Sequence, residues 1–316
     1  MPDSSDFYKD KTILITGGAG SLGQELVRRL LQTEARKIVV FSRDEYKQWL
    51  MASEYEDQPR LRFYIGDVRD YRRVMTAFHS VDYVIHAAAL KHVPALERNP
   101  FEAVQTNIMG ARNVIEAALE RGVSRVVAVS TDKACAPINL YGATKLVAEK
   151  LFLNAHSYRG DWPTSFSVVR YGNVMDSRGG VLSLWRDAET LMITNGSMTR
   201  FWMTLAEAGA FILRALECPR GLLMVPKLPS FHLSELLDAF LEVWGARTVK
   251  TLGIRAGEKM HESLISAEEA RSFRECDWCY YLTGGEGRGL SGIRSDCFHM
   301  SREELRRRMA ECLKPE

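Results

Sequence analysis

The chain has 316 residues, with 42 Lys and Arg against 40 Asp and Glu for a formal net charge of +2, and 46% of its residues are hydrophobic. This balance excludes a dedicated nucleic-acid binder or a polybasic membrane anchor, whose affinity comes from cations massed against phosphates, and no apolar run approaches the roughly 18 residues of a membrane helix. At about 150 residues per domain, the length predicts one large domain or two smaller ones around a sizeable core. The segment MPDSSDFYKD is acidic and polar, without the basic and apolar regions of a signal peptide. A cytoplasmic protein with six reduced cysteines is therefore expected.

TILIT (12–16) reads as a first strand, followed by TGGAGSLG (16–23) and the amphipathic SLGQELVRRLLQT. Gly17, Gly20 and Gly23 suit a tight turn, close approach of a pyrophosphate, and helix–strand packing, while the helix start offers NH donors. Strand, turn and helix in this order point to dinucleotide binding. The second strand, KIVVF (37–41), ends in Ser42 and Arg43, with Lys47 one helical turn on. A guanidinium suits a 2′-phosphate, which favours NADP; Asp44 and Glu45 follow and keep NAD as the alternative. After the third strand, LRFYI (61–65), Asp67 and Val68 fall where an adenine would lie, although Asp67 equally suits a helix N-cap.

VDYVIHA (81–87), SRVVAVS (124–130) and SFSVVRY (165–171) continue the strands, alternating with helices such as GARNVIEAALERG. This rhythm predicts right-handed βαβ units: an α/β, Rossmann-like, doubly wound parallel sheet over residues 1–172. The fifth strand runs into Thr131, Asp132 and Lys133, and YGATK places Tyr141 and Lys145 four apart on one helix face. An ammonium there would lower the phenol from its reference pKa of about 10, readying a phenolate to take a hydroxyl proton.

Beyond Tyr171 the rhythm becomes irregular. LAEAGAFILRAL and GLLMVP read as a helix and a strand, so 205–226 is expected to return to the sheet. Residues 173–204 and 227–316 are then expected to form a smaller substrate-binding lobe on the sheet's carboxyl edge. Cys276 and Cys279, with Cys297 and His299 beyond, raise the question of zinc. CDWCYYL reads as a strand, on which residues three apart face opposite sides, so buried thiols and no metal are expected. Arg306–Arg308 reads as a solvated helix face.

STDKACAPINLYGATKLVAEKLF, HAAALKHVPALERNP, RYGNVMDSRGGV, MTRFWMT and IRAGEKMHE together resemble the extended short-chain dehydrogenase/reductases. Within them they are similar to the inverting UDP-N-acetylglucosamine 4,6-dehydratases that begin pseudaminic-acid synthesis, over about residues 11–308. The resemblance implies a homo-oligomer, dimer or hexamer, acting on UDP-N-acetylglucosamine or a close UDP-sugar with NADP. It also implies Thr131, Asp132, Lys133, Tyr141 and Lys145 as catalytic, with Asp132 as acid and Lys133 as base, their pKa values moving together from about 3.9 and 10.4. Ala19, Ser21, Leu22, Ala87, Ala88 and Val174 would join the cofactor contacts. Lys91 and Asn173 would meet the sugar side of the substrate, Thr199, Arg255 and Glu258 the nucleotide side, and Leu182 would join the substrate contacts. Asp176 and Gly180 stand where such enzymes usually carry Gly and Ser. A UDP-sugar 4-epimerase, which would need Tyr141 but neither Asp132 nor Lys133, and a catalytically silent NADP-binding regulator are the rival readings.

Overall fold

Thr12–Thr16 (β1) is buried at every position, as a strand covered on both faces must be. The computed structural model describes residues 4–157, 160, 163–175, 177, 179–219, 221–283 and 290–312. β1 pairs in parallel with Lys37–Ser42 (β2) on one side and Tyr83–His86 (β4) on the other, and Leu61–Ile65 (β3) extends the β2 edge. Beyond β4 follow Arg125–Thr131 (β5), Ser165–Tyr171 (β6) and Leu223–Pro226 (β7), all parallel. An antiparallel hairpin, Phe273–Glu275 (β8) and Cys279–Leu282 (β9), closes the far edge. The nine-stranded order is β8-β9-β7-β6-β5-β4-β1-β2-β3, so the winding reverses between β1 and β4, where a crevice opens at the carboxyl ends.

Helices cover both faces. Ser21–Leu30 (α1) and Leu205–Glu217 (α7) bury Leu26, Val27, Leu30, Ala208 and Ile212 against one. The other carries Tyr71–Ala77 (α3), Gly110–Glu120 (α5) and Leu140–Asn154 (α6) through Val74, Val114, Ala148 and Phe152. Glu45–Glu54 (α2) follows β2, and Val93–Arg98 (α4) follows β4. A separate apolar cluster of Leu182, Trp185, Trp202, Phe231 and Phe240 belongs to the later chain. There the strand Thr199–Met203 pairs with Ser230–His232 and Asn173–Val174.

One expectation is corrected at the sheet edge. CDWCYYL is not a continuous strand: β9 starts at Cys279, and the hairpin turn places Cys276 Sγ 3.5 Å from Cys279 Sγ. The Asp-Trp pair sits in the turn, so the two thiols meet instead of facing apart. Among the described residues, no group of three or more His, Cys, Asp and Glu is arranged to hold a metal. Nor is any helix among them long and apolar enough to cross a membrane. Arg306, Arg307 and Arg308 lie on the helix Arg302–Cys312, pairing with Glu242, Glu304 and Glu207 respectively.

Candidate active site

The turn after β1 is shaped by its glycines. Gly17 has φ +70°, and a Cβ there would lie 2.9 Å from Ala88 N, so the turn lies directly against the segment after β4. A Cβ on Gly23 would stand 2.3 Å from Gly18 O, which keeps α1 tight on the turn. Thr16 Oγ1 bonds His86 Nδ1 at 2.8 Å and accepts from Ala88 N at 3.2 Å, tying β1 to β4 across the crevice. Burial pushes the His86 pKa down to about 3, with Lys145 acting in the same direction, so the ring there is neutral.

The crevice is a cleft of about 670 Å³. Its walls include Gly17, Ala19, Gly20, Ser21, Leu22, Gly23, Ser42, Arg43, Lys47, Asp67, Val68, Ala87, Ala88, Lys91, Thr131, Lys133, Tyr141, Lys145, Asn173 and Val174. At the β2 end, Arg43 is half exposed, with Nη1 3.8 Å from Asp67 Oδ2. Asp44 caps α2, accepting from Lys47 N at 3.0 Å, and also pairs with the Lys47 ammonium. Asp67 accepts from Arg69 N at 3.0 Å, and the cap of α3 is Asp70 instead.

The opposite wall holds the titratable groups. β5 runs into a 3₁₀ turn at Asp132–Ala134, against which α6 packs. Asn139 caps α6 by accepting from Gly142 N at 2.8 Å. A Cβ on Gly142 would fall 2.1 Å from Lys133 O, so the YG dipeptide is what lets Tyr141 approach Lys133. Asp132 is fully buried, and its Oδ1 accepts from Thr131 Oγ1 at 2.9 Å and from Lys133 Nζ at 3.0 Å. Lys133 Nζ also lies 3.4 Å from Glu262 Oε1. Burial works against the Lys133 charge, but Asp132 and Glu262 outweigh it and hold the pKa above the usual lysine range, which corrects the expectation that it falls towards that of Asp132: two carboxylates beside the ammonium stabilise its charge.

Tyr141 differs from expectation in what tunes it. Burial pushes its pKa up, while the Lys133 ammonium and the Thr131 hydroxyl pull it back. Lys145 instead directs Nζ at Val129 O, 2.6 Å away, and burial lowers its pKa to about 8 against the opposing Glu149. What favours the phenolate therefore comes from Lys133 and Thr131 and not from Lys145, while burial and the Asp132 charge oppose it and leave the pKa above its ordinary value.

Four expected substrate contacts lie off these walls. Leu182 is fully buried in the later apolar cluster. Thr199 is also fully buried, its hydroxyl bonded to His261 Nδ1 at 2.8 Å and Ser295 Oγ at 2.6 Å. Arg255 and Glu258 pair with each other, Nε to Oε1 at 2.8 Å, in a loop that Asn139 Nδ2 ties to α6 through Gly257 O at 2.8 Å. Asp176 lies outside the described residues, while Gly180 lines the cleft.

Sequence reasoning missed two residues. Asn107, on a π-helical turn at Val104–Met109, accepts from Leu90 N at 2.8 Å and donates to Leu90 O at 2.9 Å and Thr144 Oγ1 at 3.0 Å, fixing the cleft segment beside α6. Its neighbours Gln105 and Thr106 are polar as well, so nothing in the local pattern set it apart. Glu262 had only its place in IRAGEKMHE.

A glycine turn opening a helix at the switch point of a Rossmann-like sheet, with Tyr141 and Lys145 on the facing wall, defines an extended short-chain dehydrogenase/reductase. The chain belongs to the family described as polysaccharide biosynthesis protein, which it matches over residues 13–283. The resemblance read from the motifs is borne out. A UDP-N-acetylglucosamine 4,6-dehydratase (inverting) of Campylobacter jejuni subsp. jejuni serotype O:2 is 45% identical over 283 residues, 87% of this chain and 84% of that protein. A UDP-glucose 4-epimerase of Rickettsia felis is 42% identical over 294 residues, 90% of this chain and 86% of that one. The solved structure of Pen from Bacillus thuringiensis superposes with a TM-score of 0.92 at 38% identity, covering 97% of this chain and 98% of that one.

Proposed function

We propose that the protein carries out the NADP-dependent 4,6-dehydration of UDP-N-acetylglucosamine, inverting carbon 5, to give a UDP-4-keto-6-deoxy-L-hexose for pseudaminic acid or a related glycan. The observation that carries this is Lys133 beside Tyr141 on the wall facing the glycine turn, bonded to the fully buried Asp132 just behind that wall. The 45% identity to the inverting dehydratase supports it.

The cleft suits a dinucleotide: Gly17 and Gly23 let the turn close on Ala88 and on the start of α1, so that backbone from the turn lines the cleft where a pyrophosphate would lie. Gly17, Ala19, Gly20, Ser21, Leu22 and Gly23 would hold the phosphates, Asp67, Val68, Ala87 and Ala88 the adenosine half, and Tyr141, Lys145 and Val174 the nicotinamide half. Arg43 and Lys47 favour NADP, and Ser42 lies beside them. Asp44, already engaged by the α2 cap and Lys47, is poorly placed to hold a free ribose hydroxyl. Bound there, the nicotinamide would accept hydride from sugar carbon 4 and return it to carbon 6.

The chain's own groups handle the protons. Tyr141 takes the carbon-4 hydroxyl proton, with Thr131 and the Lys133 ammonium stabilising the phenolate. The ketone acidifies the carbon-5 hydrogen, which Lys133 removes. Asp132 protonates the departing carbon-6 hydroxyl, and carbon 5 regains a proton drawn from water on the other face. Lys91 and Asn173 reach the sugar from the cleft walls, and Asn173 Oδ1, buried without a partner, suits a sugar hydroxyl. Residues 173–204 and 227–316 serve as the substrate lobe, apart from 273–282, which the main sheet takes up as β8 and β9 and which corrects the expected boundary. We place the enzyme in the cytoplasm as a homo-oligomer.

The relative described as a UDP-glucose 4-epimerase favours a second reading, in which the carbon-4 ketone is reduced again from the other face. Incubation with UDP-N-acetylglucosamine separates the two. Dehydration gives a product lighter by one water with a carbon-4 ketone and no net cofactor reduction; an isomer of unchanged mass as main product makes the epimerase reading correct.

A further inference from the structure

Two carboxylates meet one lysine in this site, and the chemistry asks different things of them. A group that protonates a leaving hydroxyl must carry a proton, whereas the counter-ion of an ammonium must not. If Asp132 serves as the acid, the ionised partner of Lys133 has to be the other carboxylate, Glu262. Its Oε1 is 3.4 Å from Lys133 Nζ, the residue is 3% exposed, and Oε2 is buried without a hydrogen-bond partner. Asp132 Oδ2 is likewise buried without a partner, so each carboxylate keeps one oxygen that no group in the protein occupies.

The carboxylate is also held firmly. Glu262 N donates to Ser295 Oγ at 2.9 Å, and Ser295 N donates to Glu262 O at 2.9 Å. The Ser295 hydroxyl lies 2.6 Å from Thr199 Oγ1 and donates to Thr199 O at 3.2 Å. Thr199 and Ser295 are both fully buried, so Thr199 acts here by pinning the backbone that aims Glu262.

We propose that Glu262 is a positioning residue of the reaction: its carboxylate holds the Lys133 ammonium in place and is the internal acceptor that takes the ammonium proton and later returns it. This rests on the reading that Lys133 serves carbon 5. In the step, an Nζ–H bond breaks and an O–H bond forms on Glu262, turning ammonium and carboxylate into amine and carboxylic acid. The amine then takes the carbon-5 proton, whose electron pair passes into the neighbouring ketone. Nothing is oxidised or reduced in this step; the ammonium so formed then trades protons with water, and once it has given one up Glu262 returns its own to the amine. The other groups facing Lys133 are Asp132 on its own turn, Arg200 from the strand Thr199–Met203, and Tyr141 from α6.

The test is carbon-5 exchange in a UDP-linked 4-keto-6-deoxy sugar, followed by proton spectra with the holoenzyme in deuterium oxide. This reads proton removal without the redox steps. Wild type should exchange at a rate flat between about pH 6.5 and 9, because the proton moves internally. Glu262→Gln should lose about 100-fold near neutrality and recover about tenfold per pH unit, because hydroxide must now create the amine. Glu262→Asp, which keeps a carboxylate, should regain part of the loss. A wild-type rate that itself climbs tenfold per pH unit overturns the proposal with no variant needed. So does a Gln variant that exchanges like wild type, or one slowed equally at every pH. Lys133→Ala is the separate control: full exchange there removes the reading beneath the proposal, whereas its loss beside an unaffected Gln variant removes only the role of Glu262.

Discussion

Arg43 and Gly142 each turn on a single contact. Arg43 is half exposed, has Asp67 for a 3.8 Å partner, and stands beside Lys47 at the β2 end of the cleft. Arg43→Asp should weaken NADP by about 10- to 100-fold, the worth of a charge-assisted bidentate contact, and NAD far less. Titration with both cofactors checks this, and equal losses would show that Arg43 does not read the 2′-phosphate. Gly142→Ala forces a carbon to within 2.1 Å of Lys133 O, so α6 or the Asp132–Ala134 turn must shift. Since misplacement by an ångström is costly in rate, kcat should fall at least about tenfold while cofactor retention is unchanged. Lys145 makes a pH-dependent case. The unfolded chain keeps its proton to about pH 10.4, but the native lysine gives it up near 8, so native stability rises across that window and the buried ammonium is a cost below it. Lys145→Met should therefore show a higher urea midpoint than wild type at pH 7, an advantage that shrinks as the pH rises toward about 10.

Among the elements, β6 and α6 are locked by a buried ion cluster. Arg170 of β6 is 1% exposed, donates Nε and Nη2 to Glu149 of α6 at 3.0 and 2.7 Å, and reaches Glu269 Oε2 from Nη1 at 2.8 Å. Burial works against the guanidinium charge, but Glu149 and Glu269 outweigh it and hold its pKa above the usual value. Arg170→Met would leave two carboxylates without their cation, a loss of about 3–5 kcal/mol, readable as a lower urea midpoint, with Tyr141 displaced because it shares α6 with Glu149. Elements defined by local pattern were legible in the sequence: TILIT, LRFYI and SFSVVRY are strands over the residues expected, and α7 begins at Leu205 as read. The Cys276–Cys279 segment was not, because strands of three and four residues on the two sides of a turn carry too little alternation to separate a hairpin from one strand. Nor were the pairings of Thr199–Met203 with Ser230–His232 and Asn173–Val174, which tertiary contacts decide.

Over the whole molecule, the parallel sheet does what its rhythm promised: it brings residues 17–23, 43–47, 67–68, 87–91 and 129–145 to one edge. That half of the site was legible because each piece is a short motif at a strand's carboxyl end. The other half arrives from far along the chain. Glu262 meets Lys133 across more than a hundred residues, and Thr199 turns inward to support it, neither foretold by spacing. The central claim is that Asp132 and Lys133 make an oxidoreductase cleft into a dehydratase. Lys133→Ala with UDP-N-acetylglucosamine in deuterium oxide tests it most directly. The variant should keep its bound cofactor and still oxidise carbon 4, more slowly without the ammonium beside Tyr141, yet neither incorporate deuterium at carbon 5 nor release water, a loss of about 100-fold or more against a wild type that does both. A variant that still labels carbon 5 and eliminates at the wild-type rate would contradict the account.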